Sequence, residues 1–125
     1  RHPRVISLPH IGASTTEAEE NCAVMVVDQI RDFLEDGNIR NSVNFPEMRM
    51  PRNGSYRLAV VNANVPNMLG QISTAMAESG LNILDMLNKS RGELAYTLVD
   101  VDREIEALCI ERILAVDGVL NARIL

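Results

Sequence analysis

Asn62 and Asn64 stand where an apolar, β-branched run, Tyr56 to Val61, gives way to Pro66. The run has strand character, and Pro66 fixes φ where a first helical turn should begin. At such a start the N–H groups of Asn67, Met68 and Leu69 have no intrahelical partner, so together with the helix dipole they favour a carboxylate or a phosphate. The two Asn amides beside them can donate to a carboxylate or hydroxyl and accept from an ammonium. A small zwitterion suits that combination. The other side chain with evident chemical capacity is His10, in Leu8-Pro9-His10-Ile11-Gly12-Ala13-Ser14-Thr15. An imidazole can serve as a general acid or base. It has no dinucleotide-binding loop to work with, because Gly12 and Gly37 are the only glycines before residue 54 and no GxGxxG can be assembled from them.

Composition narrows the partners. The chain has 125 residues, 46% of them hydrophobic, with a formal charge of −5. It can build a core for one ordinary domain or a small domain with an appendage, and its charge repels a polyphosphate backbone, which argues against nucleic acid. Cys22 and Cys109 both fall inside helical patterns and read as reduced, buried thiols, with no metal-ligand spacing. No segment approaches the roughly 18 apolar residues of a membrane span, so a cytoplasmic protein is expected. Arg1 stands in the first position and an apolar run, Val5-Ile6-Ser7-Leu8, follows at once. The chain therefore reads as a piece of something longer.

The elements that must position the asparagines follow in order. Arg4 to Leu8 has the pattern of a buried strand. Ser14-Thr15-Thr16-Glu17 matches a capping box, after which Ala18, Cys22, Met25, Val26, Ile30, Phe33 and Leu34 recur at helical spacing until Asp36-Gly37. The result is a helix of roughly 30 Å at 1.5 Å per residue, too apolar to bury its surface against one strand. It is expected to pack on missing sequence or on another copy. Residues 38–54, with Pro46 and Pro51, read as an extended linker. From residue 55 the order is strand, helix, strand, strand, helix, strand. The first of these helices buries Leu69, Ile72, Ala75 and Met76 and stops at Gly80; Asp102 caps the second, whose apolar face is Ile105, Leu108, Cys109, Ile113 and Val116. Such a βαββαβ unit is ferredoxin-like, with both helices on one face of an antiparallel sheet. Leu84, Met86, Ala95, Thr97 and Val99 cannot all face those helices. A second apolar face and open edge strands predict a dimer.

Leu8 to Thr15 resembles the segment that carries the catalytic histidine of the 2-hydroxyacid dehydrogenases. Ser42-Val43-Asn44-Phe45-Pro46 resembles the linker of one branch, the D-3-phosphoglycerate dehydrogenases, and residues 55–125 resemble the ACT domain at their C-terminus. The resemblance implies an α+β chain in which residues 1–37 are the end of an α/β nucleotide-binding domain and its long helix, 38–54 a linker, and 55–125 a regulatory ACT domain. It implies NAD as cofactor of the longer enzyme, and His10 as its general acid/base there. The pairing carboxylate and the cofactor glycines are absent here, so the 125 residues are expected to have no cofactor and no dehydrogenase activity. For the ACT part it implies L-serine, or another small amino acid, held between two copies, with Asn62 and Asn64 as contacts from one copy and Asn82 from its neighbour. Asn67 stands where the family commonly has Gly, and is a further candidate contact; Asn62 stands where some members have His. The rival reading is an ACT pair that only assembles the enzyme and binds no amino acid.

Overall fold

The computed structural model describes residues 6–12, 14–54 and 56–125. The elements are α1 (Thr16–Asp36), β1 (Tyr56–Ala63), α2 (Met68–Glu78), β2 (Ile83–Arg91), β3 (Leu94–Val101), α3 (Ala107–Leu114) and β4 (Val119–Ile124). The expected βαββαβ order is therefore present. The strands form one antiparallel sheet in the order β2-β3-β1-β4, in which β2 and β4 are the edges.

Both faces of this sheet are covered, by different parts of the chain. On one face Leu58, Val60, Val99 and Val101 pack with Ile72 and Met76 of α2 and with Cys109 and Ile113 of α3. On the other, Ala59, Tyr96 and Leu98 pack with Ile39, Met48 and Met50. The linker is thus not a loose connection. Its Ile39 and Met48 form an antiparallel bridge, Met48 is fully buried, and the segment seals the face that was expected to need a partner. The alternation of apolar side chains along β1 and β3 was legible; that residues 39–50 would supply the cover was not.

At one end of the sealed face is a buried ion pair. Arg57 on β1 and Asp100 on β3 sit directly opposite each other and are both fully buried. The guanidinium donates to both carboxylate oxygens, at 2.6 and 2.8 Å, and also to the backbone carbonyls of Asp36, Met50 and Pro51. A buried charge requires such saturation. Burial alone would raise the Asp100 carboxyl, but hydrogen bonds from Arg57 and from the Asn53 amide outweigh it and hold the group below the usual carboxylate range.

Arg57 also closes the end of α1, whose last carbonyls lack helical partners. The Phe33 carbonyl, which takes the Gly37 N–H, also accepts from Arg123, while that of Glu35 accepts from Arg52, that of Asp36 from Arg57 and that of Gly37 from the Tyr96 hydroxyl. Three cations at a helix C-terminus also suit its dipole. Gly37 is required at this corner. Its φ is 71°, and a Cβ there would lie 2.7 Å from both Leu98 and Leu125. Burial pushes the Tyr96 phenol up to about 12, against the opposing pull of Arg123 and Arg57.

Several local expectations are corrected. The cap of α1 is Thr15, whose hydroxyl accepts from Ala18 N–H, so Glu17 falls one place short of the position from which a capping box closes. Arg4 and Val5 lie outside the described residues, and Ile6 to Leu8 are exposed and not in a strand. Cys22, expected to be buried, is exposed, as α1 buries none of its residues and shows Val24, Val27, Ile30 and Leu34 to solvent. Asp102 does not cap α3, which starts after Glu106; its carboxylate instead accepts from the Asn82 N–H. Leu108 and Leu69 are exposed, because α3 turns Cys109 and Ile113 inward and α2, starting at Met68, turns Met68, Ile72, Ala75 and Met76 inward.

Candidate functional site

The end of β1 opens on a pocket of about 140 Å³, walled by Asn62, Asn88 and Ala95 from the strands and by Asn64, Asn67 and Leu69 from the loop and first turn of α2. The alternation of β1 sends Leu58, Val60 and Asn62 to the helix side of the sheet, and Asn62 is the residue of that row that reaches the sheet's rim. It is buried. Its Nδ2 donates to the Ala63 carbonyl, and its Oδ1 accepts from the Thr97 hydroxyl at 3.4 Å. Asn64 is exposed and ties the loop to the β2–β3 turn: its Nδ2 donates to the Gly92 carbonyl and its N–H to that of Glu93.

Neither Asn64 nor Asn67 caps α2. Asn67 has φ 65° and ψ 14° and makes no side-chain cap bond. The first backbone bond of the helix is donated by Gln71 to the Asn67 carbonyl, so the N–H groups of Met68, Leu69 and Gly70 have no helical acceptor. The left-handed turn at Asn67 explains why a glycine is natural at this position and why Asn can replace it. Its side chain lies back along the first turn, where a Cβ on Gly70 would come within 2.6 Å of its Oδ1. The site therefore offers uncapped helical N–H groups on one wall and amides on the others.

Asn82 is at the far end of the sheet. Ile83 pairs with Val101, which pairs with Tyr56 at the start of β1, whereas Asn62 at its end pairs with Ala95, which pairs with Ser90. The family resemblance placed Asn62, Asn64 and Asn67 in one site with Asn82 from a neighbouring copy; the structure brings Asn62, Asn64 and Asn67 together and leaves Asn82 apart within a single chain. His10 is exposed in a loop ahead of α1. Among the described residues no group of His, Cys, Asp and Glu could hold a metal ion, and no helix is long and apolar enough to cross a membrane. A larger apolar cleft, about 350 Å³ between α1 and the linker, is walled mainly by Val26, Ile30, Phe33 and Phe45 and offers few groups to orient a zwitterion.

Arg57, Asp100 and Asn88 went unremarked in the sequence, and Thr97 was noted only as one of the sheet-face residues. Arg57 and Asp100 were legible only once the β1–β3 register put opposite charges across from each other. Asn88 and Thr97 share the inward phase of Met86 and Val99, and a polar residue in an apolar row was the signal available.

A four-stranded antiparallel sheet in this order, with α2 and α3 on one face, is the ferredoxin-like fold that ACT domains share, here led by a long helix. No family model matches the chain. Along 97% of its length it is similar to proteins named D-3-phosphoglycerate dehydrogenase, with 31% identity over 123 residues to that of Escherichia coli K12 and 33% over 122 residues to that of Haemophilus influenzae. The Dictyostelium discoideum protein of the same name is 32% identical over 124 residues. The chain spans about 30% of the length of these relatives and matches their C-terminal portion. It is thus a homologue of the ACT-bearing part of D-3-phosphoglycerate dehydrogenases. Among solved structures it is similar to the ACT domain of a GTP pyrophosphokinase from Chlorobium tepidum, at 14% identity over 56% of this chain and 95% of that one, with a TM-score of 0.49. The regulatory subunit of aspartate kinase from Thermus thermophilus matches at 15% identity, over 55% of this chain and 48% of that one, with a TM-score of 0.47.

Proposed function

We propose that this chain is the regulatory module of a D-3-phosphoglycerate dehydrogenase and binds a small amino acid, L-serine first among candidates, between two copies of its ACT domain. The observation that carries the reading is the uncapped start of α2 opening on a pocket ringed by asparagine amides. A ligand carboxylate takes the free N–H groups of Met68 to Gly70, and its ammonium takes the free Oδ1 of Asn64. A pocket of about 140 Å³ has room for a small amino acid and not for a dinucleotide.

The outer edge of β2 is unpaired, and two such edges can join antiparallel about a two-fold axis near the middle of the strand. The start of one β2 then lies beside the end of the other. Asn82 of the partner subunit would come next to Gly92, whose carbonyl is held by Asn64. The separation of Asn82 from the other asparagines within one chain is what a shared site requires.

In this reading residues 1–37 lead out of a nucleotide-binding domain that covers the exposed apolar side of α1, residues 38–54 connect, and residues 55–125 regulate. NAD and the acid/base work of His10 belong to the longer enzyme in the cytoplasm, and these 125 residues do not turn over NADH. Thermal unfolding with L-serine, glycine and L-valine tests the reading. Serine at about a hundredfold over its Kd should add about 2.7 kcal/mol, a rise in Tm of about 10 °C or more. An unchanged Tm with serine in a folded dimer would leave an assembly module that binds no amino acid.

A further inference from the structure

The pocket floor contains a polar chain that the sheet does not need. Thr97 is fully buried and lies in the same inward row as Val99 and Val101. Its hydroxyl accepts from Asn88 Nδ2 at 2.7 Å and donates to Asn62 Oδ1 at 3.4 Å. Thr97 and Asn88 are paired across β3 and β2, and Thr97 adjoins the β1 row that ends in Asn62, so three strands contribute one side chain each. Three apolar residues would fill the space at less desolvation cost. The chain occurs at the end of the sheet that meets the pocket; toward the other end the same rows are Val60, Leu58 and Val101.

Its geometry gives it a direction. Asn62 is held by its bonds to Ala63 and Thr97, while Asn88 is only half-buried and spends an N–H on Thr97. With that N–H committed, the Asn88 amide is fixed in one orientation, and its Oδ1 is left as an acceptor on the wall opposite the start of α2. A ligand whose carboxylate sits on α2 and whose ammonium sits at Asn64 points its side chain at this wall. We infer that Asn88, oriented by Thr97, is the residue that selects a hydroxyl-bearing side chain in the bound amino acid. The inference rests on the amino-acid reading of the pocket and adds what that reading leaves open, the identity of the ligand's side chain. Asn88 accepts the ligand hydroxyl's proton in a hydrogen bond; a methyl or a branched apolar side chain leaves Oδ1 without a partner in a partly dry site.

The test measures L-serine and L-alanine affinities by calorimetric titration for the native chain, Asn88→Leu and Thr97→Val, with urea unfolding of each as the control for folding. The native chain should prefer serine. In Asn88→Leu serine should weaken about tenfold, about 1.4 kcal/mol, with alanine changed less than about twofold, so that the preference collapses without loss of stability. Thr97→Val should reduce the preference in the same direction. An unchanged serine-to-alanine ratio in Asn88→Leu, or equal loss of both ligands alongside a fall in stability, overturns the role of Asn88 while the pocket stands. Binding of neither amino acid to the native chain overturns the amino-acid reading and this inference with it.

Discussion

At the scale of single residues, Asn67 carries two separable demands. Its backbone occupies the left-handed region, at φ 65°, and its side chain lies along the first turn of α2 by Gly70. Left-handed backbone costs an ordinary L-residue roughly 1–2 kcal/mol, while Asn bears it more easily and Gly bears it freely. Asn67→Ala should therefore lower stability by about 1 kcal/mol in urea unfolding, and Asn67→Gly should not. The Asn67 Oδ1 lies by Gly70, and the groups that would take the carboxylate are backbone N–H groups that glycine leaves in place, so Asn67→Gly should alter serine affinity by less than about 1 kcal/mol in titration. A second expectation concerns pH. The amide of Asn62 does not titrate, and serine affinity measured from about pH 6 to about pH 8 should be flat, where an imidazole in that place would change charge. A tenfold loss across that window would mean that a titrating group reaches the ligand.

Among the elements, the union of α1, the linker and the sheet depends on the pair between Arg57 and Asp100. Removing one member of a buried pair costs about 3–5 kcal/mol, because the other is left charged and dry. Asp100→Asn should lose that much in urea unfolding and should loosen the end of α1, seen as faster amide exchange at residues 33–37. The native Asp100 carboxyl titrates below its unfolded value of about 3.9. The unfolded chain then binds the proton first, so the stabilisation is complete above about pH 4 and is lost as pH falls through the lower folded value. Asp100→Asn should flatten this acid limb of the stability curve. This level also separates what was legible in the sequence from what was not. Most helix and strand positions followed from short-range patterns: the Gly37 end of α1 and, one residue off, its cap at Thr15, the β-branched runs of β1 and β3, the glycine after α2. The fate of residues 38–54 did not. Their packing is decided by contacts with the strands, through Met48 and Met50 against Tyr96 and Leu98, and by the Met50 and Pro51 carbonyls, which both accept from Arg57. No local periodicity encodes either.

In the whole molecule, the sealed face changes where a partner can dock. The sequence pointed to a dimer through a second apolar face or through open edge strands, and that face is occupied by the chain's own linker. The edges of β2 and β4 remain open, and in the proposed dimer a pair of β2 edges would bring a second Asn82 to the asparagine pocket. The candidate site was legible in its parts: the uncapped helix start and the amides of Asn62 and Asn64 could be read from residue types and Pro66. Its division between copies was implied by the family resemblance, and the strand order, which puts Asn82 and Asn62 at opposite ends of one sheet, gives the geometric reason for it. A ligand held by both copies must favour the dimer by the same free energy with which the dimer favours the ligand. Sedimentation equilibrium of the 125-residue chain with and without L-serine measures this linkage. The site shared between copies predicts a dimer dissociation constant that falls as serine is added, by about tenfold or more for a coupling of about 1.4 kcal/mol. A dissociation constant unchanged by saturating serine, or a chain that stays monomeric while binding it, would contradict that account.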